Sequence, residues 1–248
     1  MVFRSAFLAL LLFLVTPLMY PGPQSIEPDQ QTAACDAGSL RDIRQLYESL
    51  NDTSLKADVL FLAMKGLRTL VMQNQVKKDS LLSIIDYSLP SSSERFFVIN
   101  LARKCLVYKT LVAHGRNSGE LYAMRFSNKI RSHQSALGFY ITGNPYMGGQ
   151  GYSMILNGID TGYNDQARMR SIVIHGADYA TENYVKHYGR LGRSFGCPAL
   201  PPDVNKEIID LIKEGSVVFG FYPDSNYFNQ SVVLGYQPTN RSLSESFL

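Results

Sequence analysis

Ile172–Ala177 reads IVIHGA, and Gly189–Pro202 reads GRLGRSFGCPALPP. In the first stretch an apolar strand runs straight into His175 and Gly176. A histidine at a strand end beside a glycine sits at the rim of a core, where a ligand can approach. In the second, Ser194-Phe195-Gly196 leads into Cys197, and Pro198 follows. Glycine before a nucleophile lets the backbone turn sharply, so successive N–H groups can converge on one spot as an oxyanion hole requires. A free thiol has a pKa of about 8.5, so it is mostly protonated at neutral pH, and the thiolate is the nucleophile. A nearby imidazole can take that proton. His175 and Cys197 are 22 positions apart and meet only if the chain between them folds back. Ser194 is a candidate to orient the imidazole or to contact substrate. Each residue alone also has a plainer reading, as a buried inert thiol or a hydrogen-bonded core histidine.

Outward from these stretches the texture is that of strands. Arg95–Asn100 (RFFVIN) and Lys104–Val112 (KCLVYKTLV) are rich in β-branched and aromatic residues and are separated by Leu101-Ala102-Arg103. Gly138–Gly143, Tyr152–Leu156, Ser171–Ile174 and Ser216–Tyr222 continue the series, with glycines between. Short strands with glycine turns predict a mainly β sandwich or barrel with short helices, rather than a parallel α/β sheet. Asn164–Arg170 and Asp203–Lys213 read as two such helices, the second introduced by Pro201-Pro202.

The region before the strands has a helical period. Leu40, Ile43, Leu46, Tyr47 and Leu50 make one stripe, and Leu60, Met64, Leu67, Leu70 and Val71 a second. Asn51-Asp52-Thr53 separates them, with Asp52 or Thr53 available as a cap. Leu81–Ile85 forms a third short apolar set before the Pro90-Ser91-Ser92-Ser93 turn. The expected organisation is a leader over 1–25, a helical lead-in over 38–90, a β-rich catalytic domain over 94–223 and a polar tail over 224–248.

Composition narrows the function. Of 248 residues 45% are hydrophobic, enough for a packed core, and 24 Lys+Arg against 21 Asp+Glu give a net charge of only +3. That balance offers no basic surface for nucleic acid. Three cysteines and four histidines, with no H-x-x-x-H or C-x-x-C spacing, predict neither a metal site nor a cofactor. Met1–Arg4 is basic, and Ala6–Val15 is an apolar run shorter than the ~20 residues of a spanning helix. This suits a secretory signal, and hence export to the periplasm or cell envelope. An uncleaved anchor is the alternative, and would bring the membrane in as a partner. Cys35 and Cys105 either pair in that oxidising compartment or remain free thiols.

HGA…GRSFGCPAL resembles the signature of the L,D-transpeptidase catalytic domain (YkuD-like) family, in its murein L,D-transpeptidase branch. Val112–Gly119, Phe126–Gly143 and Gly151–Gly158 resemble the branch's earlier strands and turns, and Ile84–Asp86 with Pro90-Ser91 its lead-in. The likeness runs in order from Leu81 to Tyr222. It implies a β-rich fold and a cysteine acyl-enzyme acting on peptidoglycan stem peptides. Cys197 would attack the carbonyl of an L,D-linked centre, and His175 would serve as base and then acid. The Gly196 and Cys197 N–H groups would hold the oxyanion. The amine of a second stem peptide would resolve the thioester, giving a 3→3 cross-link.

The chain departs from many relatives outside the branch at two places. Ala177 follows the HG where they carry Ser or Thr, and Pro198-Ala199 follows the cysteine where they carry Arg or Asn two positions on. Both departures bear on acceptor choice and substrate contacts. Arg190 and Arg193 flank the loop, either to grip stem-peptide carboxylates bidentately or as solvated charges. Gly176 and His133 complete the substrate-binding candidates, and His114 either lines the cleft or caps a turn. Two other functions stay open: a hydrolase of the same bonds with water as acceptor (an L,D-carboxypeptidase or amidase-type enzyme), and a non-catalytic wall-binding domain. The latter would need neither Cys197 nor His175.

Overall fold

The strand-rich texture folds into one mixed sheet, seen in a computed structural model that describes residues 30–235, with side chains from residue 40 onward. The expected leader lies outside these residues, as does the tail beyond residue 235. The chain divides into units Met1–Ala37 and Gly38–Leu248, and the second carries the sheet. Its strands are β1 (Leu81–Asp86), β2 (Phe96–Asn100), β3 (Cys105–Thr110), β4 (Gly138–Gly148), β5 (Gly151–Gly158), β6 (Val173–Gly176), β7 (Ala199–Leu200) and β8 (Val217–Phe221). The order across the sheet is β3-β2-β1-β8-β4-β5-β6-β7. Only β1–β8 and β6–β7 are parallel pairs. The run after β3 then returns to the far edge, where Ala113 N–H donates to the Ala199 carbonyl at 2.8 Å and Gly115 bridges Ser194. The two edges of the sheet therefore meet, closing it like a barrel.

Leu81–Asp86 is expected within the helical lead-in, but it is a strand. All six of its residues are buried. A strand covered on both faces has no alternation to betray it. It pairs antiparallel with β2 and parallel with β8, so it lies inside the sheet, and the β region begins well before residue 94.

The helices before it behave as their spacing suggests, with the buried face slightly rotated. α1 (Gln30–Leu50) buries Ile43, Leu46 and Leu50 while Leu40 is exposed. α2 (Ala57–Met72) buries Val59, Leu60, Ala63, Leu67 and Leu70, leaving Val71 on the wet side. Asp52 does not cap α2. Its carboxylate accepts from Ser54 and Leu55 and pairs with Lys109 of β3 at 2.8 Å, fastening the α1–α2 turn to the sheet. Gly66 lets α2 lie flat on β4, since a methyl there would come within 2.0 Å of the Phe139 ring. Helices and sheet share one hydrophobic core.

Two more expectations change. Asn164–Arg170 is a run of turns rather than a helix. A buried carboxylate organises it: Asp160 accepts from Phe139 N–H at 2.9 Å, Tyr227 O–H at 3.0 Å and Ser231 O–H at 2.5 Å, while Asn164 receives the Asp160 N–H. The segment expected as polar tail begins with α5 (Ser225–Gln230), whose Tyr227 is fully buried, as are Val233 and Leu234 nearly so. Polar composition conceals these buried positions, and even the polar Ser231 is buried, against Asp160. The helix predicted after Pro201 is α4 (Pro202–Ile212), with Pro202 in its first turn.

Candidate active site

Two neighbouring strands bring the predicted pair into one cleft. His175 on β6 lies level with Ala199 of β7, and with Ser153 of β5 on its other side. The intervening chain folds back through a 3-10 turn (Asp178–Ala180) and α3 (Glu182–Tyr188). Thr181 caps α3 by accepting from Tyr184 N–H, and Gly189 ends it at φ 70°, the left-handed stop glycine provides. The loop 190–198 then runs back beneath β6. His175 and Cys197 line the same cleft, of about 440 Å3.

The loop before Cys197 is clamped from several sides. Ser194 N–H donates to the His114 carbonyl at 3.0 Å, and Arg116 N–H donates to the Ser194 carbonyl at 2.8 Å. Ser135 O–H reaches the Gly196 carbonyl at 3.3 Å. Gly196 has φ 124°, and a Cβ there would lie 2.7 Å from the Gln134 carbonyl, so no larger residue fits. Ser194 lines the cleft, and its hydroxyl is engaged within the loop. Its hydroxyl donates to the Cys197 carbonyl at 2.6 Å and accepts from Gly196 N–H at 3.0 Å. It braces the turn instead of orienting the imidazole. The same bond occupies one of the two expected oxyanion donors. Cys197 N–H, the other, has no acceptor among the described residues.

The His175 ring is fixed from one side. Its Nδ1 lies 2.9 Å from the Gly176 carbonyl. A carbonyl only accepts, so Nδ1 carries the hydrogen, and Nε2 of the neutral ring keeps its lone pair. Gly176 thus contributes its backbone oxygen. Burial pushes the His175 pKa down, partly offset by that carbonyl. Burial pushes the Cys197 thiol up, against Val173 N–H and the Arg170 charge, which favour the thiolate. The resting pair is therefore neutral. The thiol donates to the Ser171 carbonyl, at 3.5 Å.

The remaining expected residues separate. Arg193 lines the cleft, but it and Arg190 both hold the carboxylate of Glu120, Arg190 at 3.0 Å. The partner found is therefore internal, seventy or more residues upstream, where no local pattern announces it. His133 lies outside the main cleft, in a second cavity of about 390 Å3, where it bonds Arg116 at 3.0 Å and packs on the Phe195 ring. His114 is fully buried: its ring nitrogens meet Arg95 at 2.8 Å and the Gly119 carbonyl at 3.2 Å. His187 bonds the Asn183 carbonyl on the α3 surface. Cys105 is a free thiol, and the Cys35 side chain lies outside the described residues.

Sequence reasoning overlooked several residues here. Tyr179 walls the cleft, and burial pushes its phenol up to about 12, so it stays protonated. Gly192 admits it, because a Cβ there would lie 2.4 Å from that of Tyr179. Phe195 is 64% exposed and borders both cavities; it could have been flagged as an apolar residue stranded in a glycine loop. Among the described residues no group of three His, Cys, Asp or Glu side chains is placed to hold a metal ion. No helix among them is long and apolar enough to cross a membrane.

The L,D-transpeptidase catalytic domain family matches the chain over residues 51–221, more than half its length. No curated protein matches it. Similar solved structures include an L,D-transpeptidase from Mycobacterium smegmatis, at 13% identity and TM-score 0.37, over 58% of this chain and 59% of that one. Another is the helical cell shape determining protein Pgp2 from Campylobacter jejuni, at 14% identity and TM-score 0.39, over 58% and 48%. A third is an L,D-transpeptidase from Stackebrandtia nassauensis, at 12% identity and TM-score 0.36, over 74% and 90%. The chain spans about half to three fifths of the length of the first two of these.

Proposed function

The chain belongs to the L,D-transpeptidase catalytic domain family, and from that premise we propose that it is an exported cysteine acyltransferase that cross-links peptidoglycan stem peptides. The observation that carries this reading is the tautomer of His175. With Nδ1–H spent on the Gly176 carbonyl, Nε2 is the nitrogen left to take a proton, in the cleft that also holds Cys197.

The chemistry balances on these two side chains. The Cys197 proton passes to His175 Nε2 as sulfur attacks the carbonyl of the L,D-linked centre, forming the C–S bond. The tetrahedral oxyanion takes the unengaged N–H of Cys197. Gly196 N–H joins if the Ser194 hydroxyl releases it. Collapse breaks the C–N bond, and the imidazolium returns its proton to the departing amine. The amine of a second stem peptide then attacks the thioester, His175 takes its proton, and the thiol leaves, giving a 3→3 link. Because the thiol and the imidazole both rest neutral, proton transfer accompanies attack rather than preceding it.

The test is mass spectrometry of the full chain incubated with a disaccharide-tetrapeptide. Cross-linked dimers with release of the terminal residue are expected, and Cys197→Ala should abolish them. Tripeptides without dimers would identify an L,D-carboxypeptidase instead. Neither product would return the chain to a binding role.

A further inference from the structure

The turn that enters β6 meets the Cys197 loop at two points. The Ser171 carbonyl accepts the Cys197 thiol. The Arg170 guanidinium packs against Gly196, so closely that a Cβ on that glycine would lie 3.2 Å from its Nη2. Arg170 is also rigidly held. Its Nη1 donates to the Ser127 carbonyl at 2.5 Å, and its Nη2 to the Gln134 carbonyl at 2.5 Å and the Ser132 hydroxyl at 3.2 Å. All three acceptors are neutral. Among the described residues no carboxylate pairs with Arg170, whereas Arg190 and Arg193 share Glu120. The residues that follow the nucleophile, Pro198 and Ala199, carry no charge.

We propose that Arg170 is a positioning residue for Cys197, a fixed and uncompensated cation that holds the nucleophile's negative charge as it develops. A half-buried charge keeps most of its reach because water screens it poorly. Neutral carbonyl partners fix the guanidinium without cancelling it, as a carboxylate would. The electrostatics run the same way: burial lowers Arg170, with Tyr140 and Cys197 partly offsetting it, and Arg170 draws the thiol down against burial. The other titratable groups around the sulfur are His175 on β6, Tyr179 on the 3-10 turn, Tyr87 after β1, and Arg193 on the cleft wall. The two tyrosines stay protonated at neutral pH, since burial raises both. His175 is neutral there, and Arg193 already serves Glu120, which leaves Arg170 as the unpaired charge.

The inference rests on Cys197 being the nucleophile, and alkylation separates the two claims because it reports thiolate without requiring acyl transfer. The full chain is treated with iodoacetamide from pH 6 to 11, and modification of the Cys197 peptide is followed by mass spectrometry. An opposite charge nearby lowers a pKa by roughly one to three units. Arg170→Gln should therefore move the midpoint up by about one unit and slow alkylation about tenfold at pH 7. Arg168→Gln, an exposed arginine of the same turn, should leave the midpoint in place. Should Arg170→Gln fail to fold, Arg170→Lys carries the test. It keeps the charge without the fork that spans three acceptors, so its midpoint should stay within half a unit of wild type. A wild-type midpoint in folded Arg170→Gln, even with a slower plateau, would overturn the proposal and leave Arg170 a structural brace. A full-unit rise in Arg170→Lys would do the same. A Cys197 inert at every pH in the wild type would overturn both claims.

Discussion

Two segments of this chain have nearly the same local sequence, VAHG at Val112–Gly115 and VIHG at Val173–Gly176. Both put a buried histidine at the end of a strand-like run, followed by glycine, and both lie beside the Cys197 loop. His114 holds it through its backbone carbonyl, which accepts Ser194 N–H, and His175 sits level with Ala199 beyond it. Their rings do opposite work. His114 has both nitrogens spent, one on the Arg95 guanidinium and one on the Gly119 carbonyl, and burial with the Arg95 charge drives its pKa down to about 3. His175 has one nitrogen fixed by its own neighbour's carbonyl, and on the proposed reading the other takes the proton. A motif supplies a histidine at a strand end, but what lies opposite the ring decides whether one nitrogen is engaged or both.

Exchanging the two roles by mutation gives the largest expected effect. His175→Gln should slow acylation by about 10²–10⁴-fold, the usual contribution of a general base, with the thermal melt nearly unchanged. Loss of fold instead would make His175 structural. The mirror experiment is His114→Ala. It leaves Arg95, buried and already depressed to about 10 by desolvation, without one acceptor, which costs roughly 2–3 kcal/mol. Urea unfolding should show that loss, while the folded fraction keeps its acylation rate within a few-fold. A collapse of activity with stability intact would move His114 into the chemistry.

A smaller effect belongs to the loop both histidines flank. Ser194→Ala removes the hydroxyl that ties Gly196 N–H to the Cys197 carbonyl. Acylation should fall about tenfold and stability by about 1 kcal/mol, and Ser194→Thr should restore part of both. An unchanged rate would mean that the other clamps suffice.

A further effect is in acid. Between about pH 6.5 and pH 3 the unfolded chain binds a proton on His114 that the folded chain refuses. Stability is therefore full above about pH 6.5 and is lost as pH falls, by up to about 1.4 kcal/mol per pH unit for one proton. His114→Gln should flatten that slope in urea titrations at successive pH values. His175, also lowered by burial, adds to the slope in the same direction, and its depression should keep activity high below the usual histidine range. An equal slope in His114→Gln would assign the acid response elsewhere.

The legible parts of this molecule are those in which side chains carry a pattern of their own. β-branched and aromatic runs located β2, β3, β5 and β8, Pro201-Pro202 located α4, and the glycine-flanked His175 and Cys197 located the cleft. β1 was hidden because Leu81–Asp86 is buried on both faces, so its apolar residues show no strand period. β7 is two residues long and exists through its pairing with β6. α5 was hidden because Tyr227 finds its buried partner in Asp160, 67 positions away. The partners of Arg170 and Glu120 are tertiary in the same way, distant carbonyls for the one and two guanidiniums for the other. Ser194 is local by contrast, bonding Gly196 and Cys197 two and three positions on.

A covalent adduct on Cys197 is the most direct test of the proposed chemistry. Intact-mass and peptide-mapping spectrometry of the chain, quenched in acid during turnover of a tetrapeptide donor, should show a tripeptidyl thioester on Cys197. The adduct should be absent in Cys197→Ala and should form far more slowly in His175→Gln but not in His114→Ala. An adduct on any other residue, or equal labelling in His175→Gln and wild type, would contradict the proposed pairing of Cys197 with His175.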